Sequence, residues 1–223
     1  MISSEVFSSI ILVSVILVVG ILGAQIYTSY HNATMISFEL KDVESFFRAL
    51  VYNLNSLTPM VYEFSLKHGI IEFYANGFQY LFFNNETIFA SYVFIIRYNC
   101  IHRIYPSQKL IIHSGNLTYL SYSIIGYDNH LELHLYPIFM SENDSIIVYT
   151  IVFNVNSSLK IVEGAFSFTP KLSIIKRSCS FLEPRWVYTF LQYKNDSFQR
   201  YYLAHIFHPL ILYCGVILVD VKG

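Results

Sequence analysis

Three residues that can bind metals or exchange protons alternate along one short segment: His130, Glu132 and His134. Residues two apart project from the same face of a β-strand, so these side chains lie together if the segment is a strand. Such a set could bind a divalent cation and serve a surface hydrolase. We favour a simpler interpretation, a polar strand face without a fourth ligand, whose intervening residues face the core: Leu131, Leu133 and Leu135.

The other residues capable of chemistry do not form a recognisable motif. His205 and His208 are three apart and could share a helix face, but no acidic residue accompanies them as in a metalloprotease. The chain also lacks GxSxG, P-loop and dinucleotide-binding glycine patterns. We therefore predict a protein that is not an enzyme, with no catalytic residues, bound metal or cofactor.

The chain has three cysteines, Cys100, Cys179 and Cys214, whose spacing does not fit a zinc site. At most one internal disulfide can form. The spacing leaves the pair open, with Cys100 and Cys179 as the candidate pair for an oxidising environment.

The composition excludes several classes of protein. Hydrophobic residues make up 54% of the 223 and charged residues 13%, which argues against disorder. The formal net charge of −1 provides no basic surface for a phosphate backbone, so we expect no nucleic-acid partner.

A stretch of 22 residues without a charge runs from Val6 to Tyr27. At 1.5 Å per residue it is long enough to cross a hydrocarbon core of about 30 Å, so we predict a transmembrane helix. A cleaved signal peptide is the weaker alternative, because a basic start is missing and the first basic residue is Lys41. Gly20 and Ala24 form a small-xxx-small pair that allows close approach of another helix.

Sequons for N-linked glycosylation follow the span and favour an exterior location for the rest of the chain. There are six Asn-x-Ser/Thr sequons, more than the composition leads one to expect, at Asn32, Asn85, Asn116, Asn143, Asn156 and Asn195. The predicted location is therefore the cell membrane, single-pass, with the C-terminal domain extracellular and carrying N-linked glycans.

Beyond the span, apolar residues recur at steps of three and four, the period of an amphipathic helix. They are Ile36, Leu40, Val43, Phe47, Leu50, Leu54 and Leu57. Thr58-Pro59 ends this pattern, since proline disfavours helical geometry at the residue before it. We predict a polar N-terminus over 1–5, a transmembrane helix over 6–27 and a stalk helix over 28–58, the last two forming one rod of about fifty residues by this count.

Residues 59–223 consist of short runs rich in Ile, Val, Tyr and Phe, separated by turn residues about every ten positions. Ala75-Asn76-Gly77 and Tyr127-Asp128-Asn129-His130 have the composition of tight turns, as does Glu163-Gly164. His208-Pro209 through Val221 is too short to cross a membrane, which indicates a buried central strand. We predict an α+β protein whose long helix precedes an antiparallel β-sandwich-like head.

The opening MISSEVFSSIILVSVILVVGILGAQIYTSY resembles the N-terminal helix of archaeal type IV pilin-like proteins, including archaellum components. That family has a glutamate at the fifth mature position before a long apolar helix, and Glu5 stands there in this chain. The resemblance implies that Glu5 neutralises the terminal amine of a neighbouring subunit. Precursors in the family carry a basic leader, and none precedes Met1, so we expect either a processed chain or an unprocessed anchored relative.

Two functional hypotheses follow. The first is a non-catalytic, pilin-like structural subunit or anchor of an archaeal cell-surface filament, serving assembly or adhesion, with Glu5, Gly20 and Ala24 as assembly residues. Its partners are membrane lipid and other copies of itself or other pilin-like subunits. The alternative is a monomeric, membrane-tethered extracellular binding protein with a β-sandwich head.

Overall fold

The structure is a computed structural model. It describes residues 4–83, 86–142, 145–155, 159–179, 185–193, 198–206 and 210–223, without the side chains of residues 4–7, 10, 75–76, 78, 81–83, 86, 88–89, 92, 141–142, 177–179, 185–193, 198–206 and 210. Contacts divide the chain into two compact units, Met1–Asp42 and Val43–Gly223.

The first element is one continuous helix, α1 (Ser4–Ser56), of 53 residues. The predicted long helix is thus confirmed. Gly20 and Gly23 are the glycines within it, and the chain has no proline before Pro59, so nothing in the sequence forces a break.

Helix α1 ends in a Schellman motif. The amide of Thr58 donates to Asn53 O at 3.0 Å, and the amide of Leu57 donates to Leu54 O at 3.3 Å. Leu57 takes the left-handed conformation at φ 54°, a position that glycine usually fills. Since Pro59 follows at once, the chain turns into the first strand without continuing the helix.

In the unit Val43–Gly223, the last turns of α1 are built into the core. Six of their side chains are buried: Val43, Phe46, Phe47, Leu50, Val51 and Leu54. Four of these belong to the predicted stripe, whereas Phe46 and Val51 widen it. The ring of Phe46 lies 4.8 Å from that of Phe64 and 5.5 Å from that of Phe168, so this helix segment packs on aromatic side chains of two strands.

The described part of the chain contains thirteen strands after α1. They are β1 (Met60–Ser65), β2 (Gly69–Phe83), β3 (Glu86–Cys100), β4 (Leu110–Asn116), β5 (Ser121–Tyr127), β6 (His130–Tyr136), β7 (Ile138–Glu142), β8 (Ser145–Asn154), β9 (Lys160–Ile161), β10 (Glu163–Cys179), β11 (Arg185–Tyr193), β12 (Phe198–Ile206) and β13 (Leu210–Lys222).

The strands form two sheets. Sheet A has the order β1-β10-β13-β8-β7, and sheet B has the order β12-β11-β2-β3-β6-β5-β4 with β9 beside β2. The β13–β8 pair is parallel, and the other pairings in the described part of the chain are antiparallel. These findings support the α+β class with antiparallel sheets, and β13 takes the central position predicted for it.

Aromatic side chains connect the two sheets. Phe73 of β2 lies 5.5 Å from Phe153 of β8 and 6.1 Å from Phe168 of β10, measured between ring centroids. Phe94 of β3 also lies 5.5 Å from Phe153. Because all four side chains are buried, this contact forms part of the core.

Several local predictions were wrong. Ala75-Asn76-Gly77 does not turn the chain: β2 continues through it, with a register shift between Ala75 and Gly77 that accommodates one extra residue as a bulge. His205 belongs to β12 and shares no helix face, while His208 lies outside the described residues.

Candidate functional sites

The first candidate site is the apolar half of α1, here called the anchor segment (residues 6–27). Its described side chains from Ile11 to Tyr27 are all exposed, although most are large and apolar. In the described part of the chain, α1 is the one helix long and apolar enough to cross a membrane. An exposed apolar surface of this size is the form that a lipid-embedded or helix-packed segment takes.

The predicted assembly residues all lie on α1. A Cβ atom added to Gly20 would meet no other atom within 4 Å, so this face is open for close approach of another helix. Ala24 follows one turn later, and its carbonyl accepts the Thr28 hydroxyl at 2.8 Å. Glu5 lies in the first turn of the helix, but its side chain is outside the described residues.

Polar and aromatic residues follow the anchor segment at its C-terminal end. Tyr27 and Tyr30 are exposed, and the ring of His31 stacks on that of Tyr27 at 6.2 Å. The Thr34 hydroxyl donates to Tyr30 O at 2.9 Å, which satisfies it within the helix. Tyrosines at such a boundary suit the membrane–water interface, where the ring is in lipid and the hydroxyl in water.

The second candidate site is the polar face of β6. Leu131, Leu133 and Leu135 are buried as predicted, and His130, Glu132 and His134 lie on the opposite face. This face is less open to solvent than expected, because only 12% of the Glu132 side chain is exposed. Tyr74 of the neighbouring strand β2 and Arg97 of β3 contact the carboxylate.

Glu132 is the centre of this group, which we call the Glu132 cluster: Tyr74, Arg97, Ser123, His130, Glu132, His134 and Tyr136. Oε1 of Glu132 accepts Arg97 Nε at 2.6 Å, pairs with Arg97 Nη2, and accepts the Tyr74 hydroxyl at 3.1 Å. Oε2 lies 2.7 Å from His134 Nε2. Arg97 stands directly opposite Glu132 in the β3–β6 register, so strand pairing itself brings these charges together.

The hydrogen bonds continue from His134 toward β5. The Tyr136 hydroxyl lies 3.2 Å from His134 Nδ1 and 3.3 Å from Ser123 Oγ. Because Nε2 faces the carboxylate, a neutral His134 ring carries its hydrogen on Nε2 and accepts at Nδ1. The chain of groups therefore runs from a carboxylate through an imidazole to two hydroxyls.

The charges in this cluster shift the pKa values of its members. Burial alone raises the pKa of the Glu132 carboxyl, but hydrogen bonds and charge from His134 and Arg97 outweigh it and lower the pKa to about 2. Burial and the Glu132 charge raise the pKa of Tyr74 well above its ordinary value, which keeps the hydroxyl as a donor. Burial lowers the pKa of His130, assisted by Arg97 and opposed by Glu132 and Asp128.

Glu132 of β6 connects its strand to β2 and β3 through hydrogen bonds from Tyr74 and Arg97. Both carboxylate oxygens already accept hydrogen bonds from protein groups, and within the described residues no group of three His, Cys, Asp or Glu side chains is placed to hold a metal ion. The sequence pattern located the two histidines and the glutamate but missed their partners Arg97 and Tyr74. Only the strand register, which the pattern did not provide, pairs these residues.

The remaining predicted sites are the sequon asparagines and the cysteines. Asn32 and Asn116 are exposed, on α1 and at the end of β4 respectively, and Asn116 Oδ1 accepts the Ser121 hydroxyl at 2.6 Å. The other four sequon asparagines lie outside the described residues: Asn85, Asn143, Asn156 and Asn195. Cys100 of β3 and Cys214 of β13 are both buried, and the pairing of Cys100 with Cys179 stays a prediction. The Cys179 side chain is outside the described residues.

Comparison of the chain with models of protein families, with curated proteins and with solved structures found no match.

Proposed function

We propose that this chain is a membrane-anchored, pilin-like structural subunit, whose anchor segment serves both as a membrane span and as an assembly surface. The observation that carries the proposal is that two parts of α1 differ in burial. Its apolar residues from Ile11 to Tyr27 are exposed, and those from Val43 to Leu54 are buried in the β-rich unit. One helix thus supplies an exposed apolar segment and, in its last turns, part of the core of the β-rich unit.

The proposed head is a β-sandwich displayed on the cell exterior. Support comes from the aromatic contacts between sheets A and B and from the exposed sequon at Asn116. The proposed role is non-catalytic, and within the described residues the Glu132 carboxylate is already engaged by Arg97, Tyr74 and His134.

Membrane topology is tested with protease added to intact cells that express the chain with an epitope tag after Gly223. We expect the tag to be lost from intact cells while the anchor segment stays in the membrane fraction after alkaline extraction. Loss of the tag only after lysis would place the head inside and contradict the exterior location.

Glycosylation is tested with the substitution Asn116→Gln. If it lowers the mass of the protein by one glycan, this sequon is occupied.

Assembly is tested by disulfide cross-linking in native membranes. Gly20→Cys places a thiol on the small-residue face, and the matched control Leu22→Cys places one about 200° around the helix. We expect dimers from Gly20→Cys and few from Leu22→Cys, above the background of the unsubstituted chain. Equal cross-linking at both positions would indicate random collision in the membrane and favour the monomeric tethered binding protein.

Glu5 is tested separately, since its role comes from the resemblance alone. Glu5→Ala is expected to reduce recovery of the protein in sheared surface filaments, because an apolar assembly accepts a terminal amine poorly without a carboxylate partner. Glu5→Gln controls for side-chain volume and is expected to show the same defect. Unchanged recovery of both variants would remove Glu5 from the assembly mechanism.

A further inference from the structure

His130 lies where the Glu132 cluster meets the turn between β5 and β6. It is the first residue of β6, and its side chain is only 17% exposed. Nε2 lies 3.8 Å from Glu132 Oε1, Nδ1 lies 3.3 Å from Asn129 Oδ1, and the ring is 5.1 Å from that of Tyr127. A titratable ring therefore fills the junction between strand and turn.

The same turn holds the loop that joins β3 to β4, residues 101–109. The amides of Ile104 and Tyr105 both donate to Asp128 O, at 2.9 and 2.8 Å, and the Asp128 amide donates to Pro106 O at 3.2 Å. Arg103 Nε pairs with Asp128 Oδ1 at 3.2 Å. Asp128 itself is left-handed, with φ 48°, so these bonds depend on an unusual backbone conformation.

The charges that face His130 come from three directions. Glu132 on its own strand and Asp128 in the turn favour a proton on the ring, while Arg97 from β3 opposes it. Beyond Arg97, Glu72 of β2 is already paired with Lys160 at 2.9 Å and accepts Asn99 Nδ2 at 2.8 Å. Burial outweighs the two acidic neighbours and lowers the pKa of His130 below its ordinary 6.5.

The direction of the pH effect follows from this lowered pKa. An opened turn exposes the ring to water and returns its pKa toward 6.5, so the opened state binds a proton more readily than the closed state. The closed turn is therefore most favoured above pH 6.5 and loses stability as the pH falls from there toward the lowered value.

We propose that His130 makes the β5–β6 turn an acid-responsive latch: proton uptake on its ring favours an opened turn and releases the 101–109 loop from Asp128. Glu132 cannot neutralise the new charge fully, because its Oε1 already accepts Arg97 and Tyr74. The latch depends on the β-rich unit alone and is independent of the filament proposal.

Hydrogen exchange read by mass spectrometry tests the latch on the full chain in detergent micelles at about pH 7 and about pH 5.5, with rates corrected for the intrinsic effect of pH. Peptides covering residues 101–110 and 125–135 report on the loop and the turn. The variants are His130→Gln and His130→Phe, of which the latter keeps a ring against Tyr127. His31→Gln is the matched control, because it removes a histidine from α1 outside the β-rich unit.

We expect the unsubstituted chain and His31→Gln to lose protection in both peptides on acidification, by up to about tenfold for each unit by which the pKa is lowered. The His130 variants are expected to keep the same protection at both pH values. Equal loss in all four proteins, or no loss in the unsubstituted chain, would overturn the proposal. The comparison of the unsubstituted chain at the two pH values needs no variant, so it tests the proposal even if a substitution prevents folding.

Discussion

At the scale of single residues, the pair formed by Arg97 and Glu132 makes the clearest energetic prediction. Arg97→Met leaves the carboxylate with fewer donors while only 12% of its side chain is exposed. We expect a loss of about 2–3 kcal/mol in the free energy of unfolding, less than for a fully buried pair because Arg97 is itself a third exposed. Urea unfolding of the detergent-solubilised chain measures it.

The control for this prediction is the double variant Arg97→Met with Glu132→Leu. Since both charges are then removed, we expect it to be more stable than Arg97→Met alone. A double variant that loses the sum of the two single effects would show that the pair does not couple.

Glu132 also predicts a pH dependence in a more acidic range than the His130 latch. Its pKa is lowered from 4.5 to about 2, so its stabilising contribution is complete above 4.5 and is lost as the pH falls toward 2. Glu132→Gln is expected to be less stable near neutral pH but to lose less stability on acidification through this range. Thermal unfolding at stepped pH tests this, and parallel curves for the two proteins would contradict it.

Part of the Glu132 cluster could be predicted from the sequence. Alternation along β6 correctly placed the leucines in the core and the polar residues opposite them. It could not identify Arg97 and Tyr74 as partners, because they are 35 and 58 positions away in sequence. Only the antiparallel register of β3 against β6, and of β2 against β3, brings these side chains to the carboxylate.

At the scale of elements, the end of α1 is held by a residue poorly suited to its backbone conformation. Leu57 has φ 54°, which costs an L-residue about 1–2 kcal/mol. Leu57→Gly removes that strain and adds about 0.5–1 kcal/mol of backbone entropy cost, so we expect stability to stay level or rise slightly. Leu57→Val is expected to destabilise, because branched side chains tolerate this region worst. Equal loss in both variants, measured by thermal unfolding, would show that Leu57 acts through packing.

A second element-scale prediction concerns Gly126 of β5. A Cβ at this position would lie 2.8 Å from the ring of Tyr105, so alanine must displace that ring. Tyr105 is partly buried, and burial together with the Glu44 charge raises the pKa of its phenol to about 12. We expect Gly126→Ala to cost about 1–3 kcal/mol, and Gly126→Ala with Tyr105→Leu to recover part of it in the same denaturation assay. If Gly126→Ala is as stable as the unsubstituted chain, the loop that carries Tyr105 moves aside without cost.

Element boundaries were predicted best where one physical effect dominates. Thr58-Pro59 ends α1 within two residues of the observed end, because proline excludes further helix. The Ala75-Asn76-Gly77 prediction failed for the opposite reason: these residues permit a turn without requiring one, and pairing of β2 with β3 on both sides favours a bulge.

At the scale of the whole molecule, α1 belongs to two units with different requirements. Residues up to Asp42 form one compact unit, whereas Val43 and everything after it form the other. The absence of helix breakers in the sequence predicted a single helix. The end of the charge-free stretch placed the boundary between its transmembrane and stalk parts at residue 28. The structure divides the contacts fifteen residues later, because burial begins only where α1 meets β1 and β10.

This division predicts how the chain responds to truncation from its N-terminus. The six buried side chains between Val43 and Leu54 each contribute about 1.5–3 kcal/mol, which together rival the 5–15 kcal/mol that stabilises a typical domain. A fragment of residues 43–223 is therefore expected to fold without detergent and unfold cooperatively, whereas one of residues 58–223 is expected to expose its aromatic core and aggregate. Circular dichroism and size-exclusion chromatography distinguish the two. If 58–223 folds with an unchanged unfolding midpoint, the end of α1 contributes little to the stability of the β-rich unit, and the proposed structural role loses the shared core on which it depends.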